Sequence, residues 1–514
     1  MSKTIIIIGA GLAGLSAALQ AAENACNVKL VSSLPSERAQ SVMAEGGINA
    51  ALNTKDENDS PEEHFTDTIK AACGLADPNA VWGMTQAAPE LVHWLLKLGV
   101  KFNMSGYDDV DLRNFGGQKK KRTAFAQSDT GKQIMTAMID AVRRKEASGM
   151  VERFSHHSFL TLRLCGNICC GCVIRDEYSQ ETVELPGDAV IVATGGMHGL
   201  FGNTTGSLSN TGEVTAELFR LGVPLANGEM IQYHPTTVKC GGKRMLISEA
   251  ARGEGGRLFA MKDGKQWYFM EEKYPELGNL MPRDITAREI WKVSHESEVF
   301  LDMTEISEEI ISNKLSGLAD DCMTYLHKDI RKEPVSVLPG IHYFMGGILV
   351  DEQHRTPIQN LYAAGECCAQ YHGANRLGGN SLLGALYGGR VAAKSACEQA
   401  DVVDLSCATQ IDFPPASQIS EIKQLNKVMQ ETMGVVRNEN TLLNGIQTVQ
   451  ALTGNLPLLG MAVLKSALAR KESRGAHWRE DYPKSNDDDY LKTTVARFDG
   501  KQIQISFVPV LERR

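Results

Sequence analysis

Thr4 is followed by four isoleucines, Ile5 to Ile8, and then without a spacer by Gly9-Ala10-Gly11-Leu12-Ala13-Gly14. An unbroken β-branched run is the pattern of a strand buried on both faces of a parallel sheet. Leu15 to Ala22 behind the glycines is rich in helix formers. Gly9 allows the tight turn, Gly11 lets the backbone approach a pyrophosphate, and Gly14 permits close helix–strand packing, with the positive end of the helix dipole aimed at the phosphates. Three glycines at this spacing carry weight only between a strand and a helix, and both flanks are present. The opening therefore predicts a doubly wound α/β domain that binds a dinucleotide. The second strand, Val28 to Val31, ends in Ser32-Ser33 where an acid often meets the ribose hydroxyls. That departure argues against a standard nicotinamide dehydrogenase and turns attention to flavin folds, with Ser32 as the cofactor-contacting residue.

The theme recurs far down the chain. Asp188-Ala189-Val190-Ile191-Val192-Ala193 runs into Thr194-Gly195-Gly196, and Asn360-Leu361-Tyr362-Ala363-Ala364 runs into Gly365-Glu366. A nucleotide domain assembled from distant segments follows. Between them, residues 236 to 338 have another texture, with an amphipathic helix over Glu305 to Leu318. Beyond about residue 415 the pattern is helical, over Ile419–Met433, Leu442–Leu452 and Leu456–Lys471, before a polar tail with one strand-like stretch, Gln502 to Val508. At 514 residues the chain exceeds what one core supports. The expected organisation is a discontinuous Rossmann-like domain (1–235 plus 339–405), an inserted α+β cap (236–338) and a C-terminal helical domain with its tail (406–514).

Charge and cysteine usage narrow the class. With 53 Lys plus Arg against 62 Asp plus Glu, the net −9 offers no general attraction to nucleic acid or anionic lipid. No apolar run approaches the roughly 20 residues of a bilayer span, and Met1 to Thr4 leaves no room for a signal sequence, so the expected compartment is the cytoplasm. Twelve scattered cysteines suit reduced thiols. Cys165, Cys169, Cys170 and Cys172 invite a metal, but Gly166-Asn167 is turn chemistry between alternating strands, and neighbours on a strand face opposite ways. A hairpin without metal is the expectation, and no Cys-x-x-Cys-His is present for a c-type haem.

Five motifs carry the chemistry: Gln232-Tyr233-His234-Pro235-Thr236; Ser248 to Gly256; Pro282-Arg283-Asp284; His342 to Gly347; and His372 to Leu383. Singly each has a plain explanation, such as a core histidine beside a turn, a capped helix, an Arg–Asp surface pair or a glycine bend. Together with the amino-terminal turn, Phe115-Gly116-Gly117, Arg122-Thr123, Asp129-Thr130-Gly131 and Arg470 to His477, they resemble the flavoprotein subunits of the succinate dehydrogenase and fumarate reductase family, which includes L-aspartate oxidase.

The resemblance implies FAD and a small dicarboxylate. It places Gly9, Gly11, Gly14, Ser32, Gly46, Gly47, Thr194, Gly195, Gly196, Glu366, Asn380, Ser381 and Leu382 at the cofactor. His234, Ser248 (in place of the more usual Thr), His342, Arg376 and Phe115 fall at the substrate. Arg283 matches the proton-delivering arginine, with Glu249 and Arg252 as its relay. Two carboxylates leaving water need charge-assisted donors, and the planar fork of Arg376 clamps one of them as Lys could not. Because guanidinium is a poor acid, transfer from Arg283 must be nearly concerted and promptly replenished. Glu249 and Arg252, three apart, share a helix face. The bland alternative for this pair is a structural salt bridge.

Many relatives tether the flavin through a histidine; counting back from Glu45-Gly46-Gly47, that position is Gln40. The resemblance then implies non-covalent FAD, a lower flavin potential and reduction of fumarate in preference to oxidation of succinate. The chain is also shorter than typical flavoprotein subunits, trimmed between Leu452 and Leu464. Without iron–sulfur or haem ligands of its own, it needs electrons from a partner protein such as an iron–sulfur subunit, or from a soluble carrier. The alternative is L-aspartate oxidase. The run Lys119 to Arg122 either steers dicarboxylates or is a solvated loop, the latter favoured except at Arg122.

Overall fold

The computed structural model describes residues 2–106, 109–401, 413 and 418–510. The elements that frame the site are β1 (Thr4–Ile8), α1 (Leu12–Glu23), β2 (Asn27–Ser32), β3 (Val151–Ser155), β4 (Ala189–Val192), β5 (Ile231–Cys240), α2 (Glu249–Gly253), α3 (Arg283–Val293), β6 (Leu338–Phe344), β7 (Leu361–Ala363) and α4 (Asn380–Gln399). Five strands form one parallel sheet in the order β7-β4-β1-β2-β3. Its centre is the isoleucine run: Ile7 pairs with Ile191 on one side and Leu30 on the other, and Ile5 to Ile7 are wholly buried. Residues 4 to 363 thus supply one sheet, as the repeated strand-to-glycine pattern predicts.

Helices α1 and α4 pack so closely that a Cβ at Gly389 would collide with the Ala13 carbonyl, and Ser16 donates to the Leu386 carbonyl at 2.7 Å. The contact fixes the relative placement of two helix starts, Gly11 and Gly379, which both belong to the site.

Strand β5 lies between β6 and Lys243–Leu246 in an antiparallel sheet, and α3 packs on it. A second sheet built on Arg257–Lys262 and Val299–Asp302 closes a separate core that includes Phe269, Ile290 and Leu301. The helix expected over Glu305 to Leu318 is two helices, Glu308–Lys314 and Ser316–Asp321. Leu315 leaves helical geometry (φ −128°, ψ 13°) to bury its side chain, and the chain restarts at Ser316-Gly317.

Helices Ile419–Thr432, Glu439–Val449 and Asn455–Ala469 match the three carboxy-terminal helices, within a few residues at their ends. The expected late strand is present as Ile503–Pro509, and it has an unforeseen partner, Lys492–Phe498, which ties it into a sheet with Leu225–Ala226 and Gly347–Leu349. The expected domain boundary at 405/406 lies outside the described residues. The predicted hairpin is there, His157–Cys165 against Ile168–Asp176, with Cys169 and Cys172 in the core. Among the described residues ten cysteines are free thiols, whereas Cys165 is disulfide-bonded, contrary to the expectation of reduced thiols. Among the described residues no helix is long and apolar enough to cross a membrane, and no group of three potential ligands could hold a metal.

Candidate active site

The glycine turn has the geometry a pyrophosphate needs. Gly9 has φ +111° and no room for a Cβ against the Ala193 carbonyl, while a Cβ at Gly11 would meet only the Ser41 and Ala39 side chains, at 3.6 and 3.8 Å. Gly11 caps α1 without a side-chain bond, and the Leu12 amide is answered by Ser41 Oγ at 3.2 Å. At the edge of β2 the Ser32 hydroxyl is buried with no partner. Helix α4 starts behind Gly379 (φ +84°), again with no side-chain cap, although Asn380 and Leu382 are buried; Ser381 is partly exposed. Two uncapped helix starts and an unpartnered hydroxyl leave donors for phosphate, flavin and ribose, so these residues fit FAD.

Thr194, Gly195 and Gly196 follow β4, and Gly196 lies against the Glu366 carboxylate and the Phe344 ring. Glu366 accepts from the Phe344 amide at 3.0 Å. Gly46 lies against the Phe115 ring, and Gly47 (φ +137°) against the Ala124 carbonyl. Gln40 is close by, its side-chain oxygen accepting the Ser207 amide at 2.6 Å.

The substrate and relay candidates converge on one buried space from β5, β6, α2, α3 and the loop before α4. The Arg283 guanidinium is held from two sides: Nε and Nη2 lie 2.8 and 2.6 Å from Glu249 Oε2, and Nη1 donates to Gln232 Oε1 at 3.0 Å. Glu249 Oε1 accepts from the Gly116 amide at 3.0 Å and lies 3.3 Å from Arg252, which donates to the Asn279 carbonyl. Burial is the largest influence on Glu249 and opposes ionisation, but Arg283, Arg252 and the hydrogen bonds outweigh it and hold the carboxyl below its usual range. Burial lowers the pKa of Arg252. Ser248 caps α2 through its hydroxyl.

His234 and His342 stand edge to face, 5.1 Å between ring centres. Burial, then the nearby Arg283 charge, lowers both pKa values well below the ordinary, so both rings are neutral at pH 7. His342 Nδ1 contacts the Thr205 hydroxyl at 2.8 Å, while His234 Nε2 is buried and unpartnered. A carboxylate arriving there selects the tautomer protonated on Nε2, with Nδ1 accepting the Thr236 amide at 3.3 Å. The Arg376 guanidinium lies over the Tyr343 ring at 4.3 Å, and its Nε has no partner. Burial, then Arg283, lowers its pKa to about 9.

Residues 4–382 match the FAD binding domain family, and residues 452–513 match the fumarate reductase flavoprotein C-terminal family. The succinate dehydrogenase flavoprotein subunit of Bacillus subtilis is 39% identical over 96% of this chain and 94% of its own. This chain belongs to the succinate dehydrogenase/fumarate reductase flavoprotein family. The 8-methylmenaquinol:fumarate reductase flavoprotein subunit of Wolinella succinogenes is 32% identical over 97% of this chain and 89% of its own. A solved E. coli quinol fumarate reductase flavoprotein superposes with a TM-score of 0.90 at 27% identity, covering 99% of this chain and 97% of that one. Like its relatives, this flavoprotein is an FAD-dependent oxidoreductase of the succinate dehydrogenase/fumarate reductase type.

Several side chains that organise this flavoprotein's site escaped the sequence reading. Asn49 donates to Asn380 Oδ1 and the Gly378 carbonyl, Gln118 donates to Asn49, and His64 meets Asn380 at 2.9 Å, so the start of α4 is fixed by a buried amide network. Gln232 was visible in its motif but had no assigned role. Arg122, the exception within the basic run, is fully buried between Asp59 (2.8 Å) and Asp67 (2.9 Å), a structural charge. Lys120 and Lys121 pair with Glu63 and Glu57, as a solvated loop does.

Proposed function

We propose that this chain is the catalytic flavoprotein subunit of an enzyme that reduces fumarate to succinate, with FAD held non-covalently. The observation that carries the reading is the ordered set Arg252, Glu249, Arg283 opening onto neutral His234, His342 and the buried guanidinium of Arg376. FAD, held by Gly9, Gly11, Gly14, Ser32, Gly46, Gly47, Thr194, Gly195, Gly196, Glu366, Asn380, Ser381 and Leu382, would supply the hydride. Arg376 clamps one carboxylate in a two-bond fork, and His234, His342 and the Ser248 hydroxyl receive the other. Phe115 closes the wall beside Gly46. Held at both ends, the alkene has one orientation relative to Arg283, which makes the proton step effectively unimolecular.

Arg283 gives its proton to the alkene carbon, and Glu249 neutralises and orients it throughout. Re-protonation passes from Arg252 through Glu249, whose carboxylate is in range of both guanidinium groups. Gln40 at the tethering position supports the non-covalent linkage and, through a low flavin potential, the reductive direction. Electrons come from a partner, an iron–sulfur subunit fitting the "subunit" names of the relatives. The partition into a discontinuous FAD domain (1–235 plus 339–405), a cap (236–338) and a C-terminal domain (406–514) belongs to the same proposal, as does a cytoplasmic location. L-aspartate oxidase is not favoured by the relatives reported above. Anaerobic assays test the reading, with pre-reduced enzyme mixed with fumarate, and oxidised enzyme mixed with succinate or L-aspartate in the presence of an acceptor dye; turnover confined to L-aspartate overturns it.

A further inference from the structure

Gln232 accepts from Arg283 through Oε1 at 3.0 Å, and its amide nitrogen donates both to the Arg376 carbonyl (2.8 Å) and to Asn375 Oδ1 (3.0 Å). Asn375 in turn donates through Nδ2 to Asp284 Oδ1 at 3.0 Å. A carboxylate only accepts, so Asp284 obliges Asn375 to present its nitrogen outward and its oxygen to Gln232. Gln232 points its nitrogen at two acceptors, Asn375 Oδ1 and the Arg376 carbonyl, and its oxygen at Arg283. An amide turned the other way at either step would set donor against donor in a buried place. Asp284 sits in the first turn of α3, next in sequence to Arg283 but on the far side of the two amides, in a crevice shared with Arg288, Tyr233 and Trp478.

We propose that Asp284 is a positioning residue: acting through Asn375, it reinforces, together with the Arg376 carbonyl, the Gln232 orientation that holds the Arg283 guanidinium toward the substrate. This rests on Arg283 being the proton donor. Asp284 touches neither substrate nor cofactor, and its plain role would be that of a helix-start acid facing Arg288 four residues on. The two roles differ in what they require. Orientation needs an acceptor atom at this position, whereas a helix-start acid or an ion pair needs the charge.

The test is anaerobic fumarate reduction per bound flavin by the holoenzyme carrying Asp284→Leu, Asp284→Asn, Asn375→Leu or Gln232→Leu, together with the double variant Asp284→Leu/Gln232→Leu. One lost orienting hydrogen bond corresponds to a fall in kcat of about five- to tenfold for Asp284→Leu, with KM changed less than twofold. Asp284→Asn, whose amide oxygen can still accept, should recover most of that rate despite the lost charge. The double variant should be no slower than Gln232→Leu alone, because both substitutions act through one contact. If Asp284→Leu does not fold, Asn375→Leu carries the same expectation. The proposal is overturned by an unchanged kcat in Asp284→Leu or Asn375→Leu, by Asp284→Asn as slow as Asp284→Leu, or by multiplicative losses in the double variant. Failure of the parent reading shows elsewhere, as turnover retained in Arg283→Ala.

Discussion

Acid stability offers a test in which the structure sets the magnitude. His64, His234, His354, His372 and His477 are each at most 5% exposed. Burial is the first cause lowering the pKa of all five, to about 3 for His64 and about 4 for His354, and well below the ordinary for the other three. They fold neutral and charge on unfolding. Below an unfolded pKa of about 6.5 the unfolded chain binds more protons, so stability falls as pH falls. Between pH 7 and pH 5 each such histidine costs about 2 kcal/mol, roughly 9 kcal/mol for the set. Glu45 works the other way: burial and then Asp321 raise it to about 8, so the folded state already holds a proton that the unfolded state takes up only below about 4.5. It returns about 2.5 kcal/mol over the same window, leaving a net loss of about 7 kcal/mol, comparable with the whole stability of a typical protein. Urea unfolding of the flavin-loaded protein should weaken steeply from pH 6.5 to pH 5, with about three protons taken up per chain on unfolding at pH 6. Stability that is flat across that window, or no proton uptake, would show that these rings are not buried neutral.

Two further outcomes follow from the proposed chemistry. Arg283→Ala should abolish turnover in both directions, on the order of 10⁴-fold for loss of the acid, while fumarate still perturbs the flavin spectrum; in the unaltered protein, succinate oxidation faster than fumarate reduction with dyes of suitable potential would overturn the direction. With Gln40 at the tethering position, acid precipitation should release all of the flavin, and colour left in the pellet would contradict a non-covalent linkage.

The parallel sheet was readable because burial on both faces leaves an unbroken apolar run, as in Ile5 to Ile8, and because the turn needs glycine at Gly9. The motif residues drew notice because Arg and His stand there in numbers that cores avoid, and the structure brings His234, His342, Arg283 and Arg376 into one another's electrostatic reach. What pattern could not reveal was pairing across long sequence distances. Asn49 and Gln118 carry no signal in the sequence, and only the fold brings Asn49 within 3.0 Å of both Asn380 and Gln118. Arg122 stands apart from its basic run through the Arg122-Thr123 motif, but its two counter-ions, Asp59 and Asp67, lie in another segment and only the fold brings them to it. Lys492–Phe498 is polar enough to read as tail, and its partners Leu225–Ala226 and Ile503–Pro509 make it a central strand. At Leu315 helical periodicity continues through the break, since the side chain stays on the buried face while its backbone turns.

Arg376 differs from the other guanidinium groups of the site. Arg283 and Arg252 share Glu249, but Arg376 has no carboxylate within 4.0 Å among the described residues, and Tyr343 is its nearest electrostatic support. Its pKa, lowered to about 9, measures how poorly the ligand-free protein accommodates that charge; guanidinium groups stay charged, so the burden falls on stability. Replacing it by an uncharged side chain of similar length should therefore stabilise the ligand-free protein while destroying the clamp. We expect Arg376→Met to raise the Tm of the flavin-loaded, substrate-free enzyme, a gain on the order of a few kcal/mol before loss of the Tyr343 contact is set against it. Added dicarboxylate should raise the Tm of the unaltered enzyme and leave that of the variant unmoved, because the ligand's carboxylate is the missing counter-ion. Arg376→Lys should keep the charge yet lose the planar fork, so its KM for fumarate should rise sharply. A variant Arg376→Met that is less stable without ligand, or still stabilised by dicarboxylate, would mean that Arg376 is satisfied by the protein itself and does not wait for a substrate carboxylate.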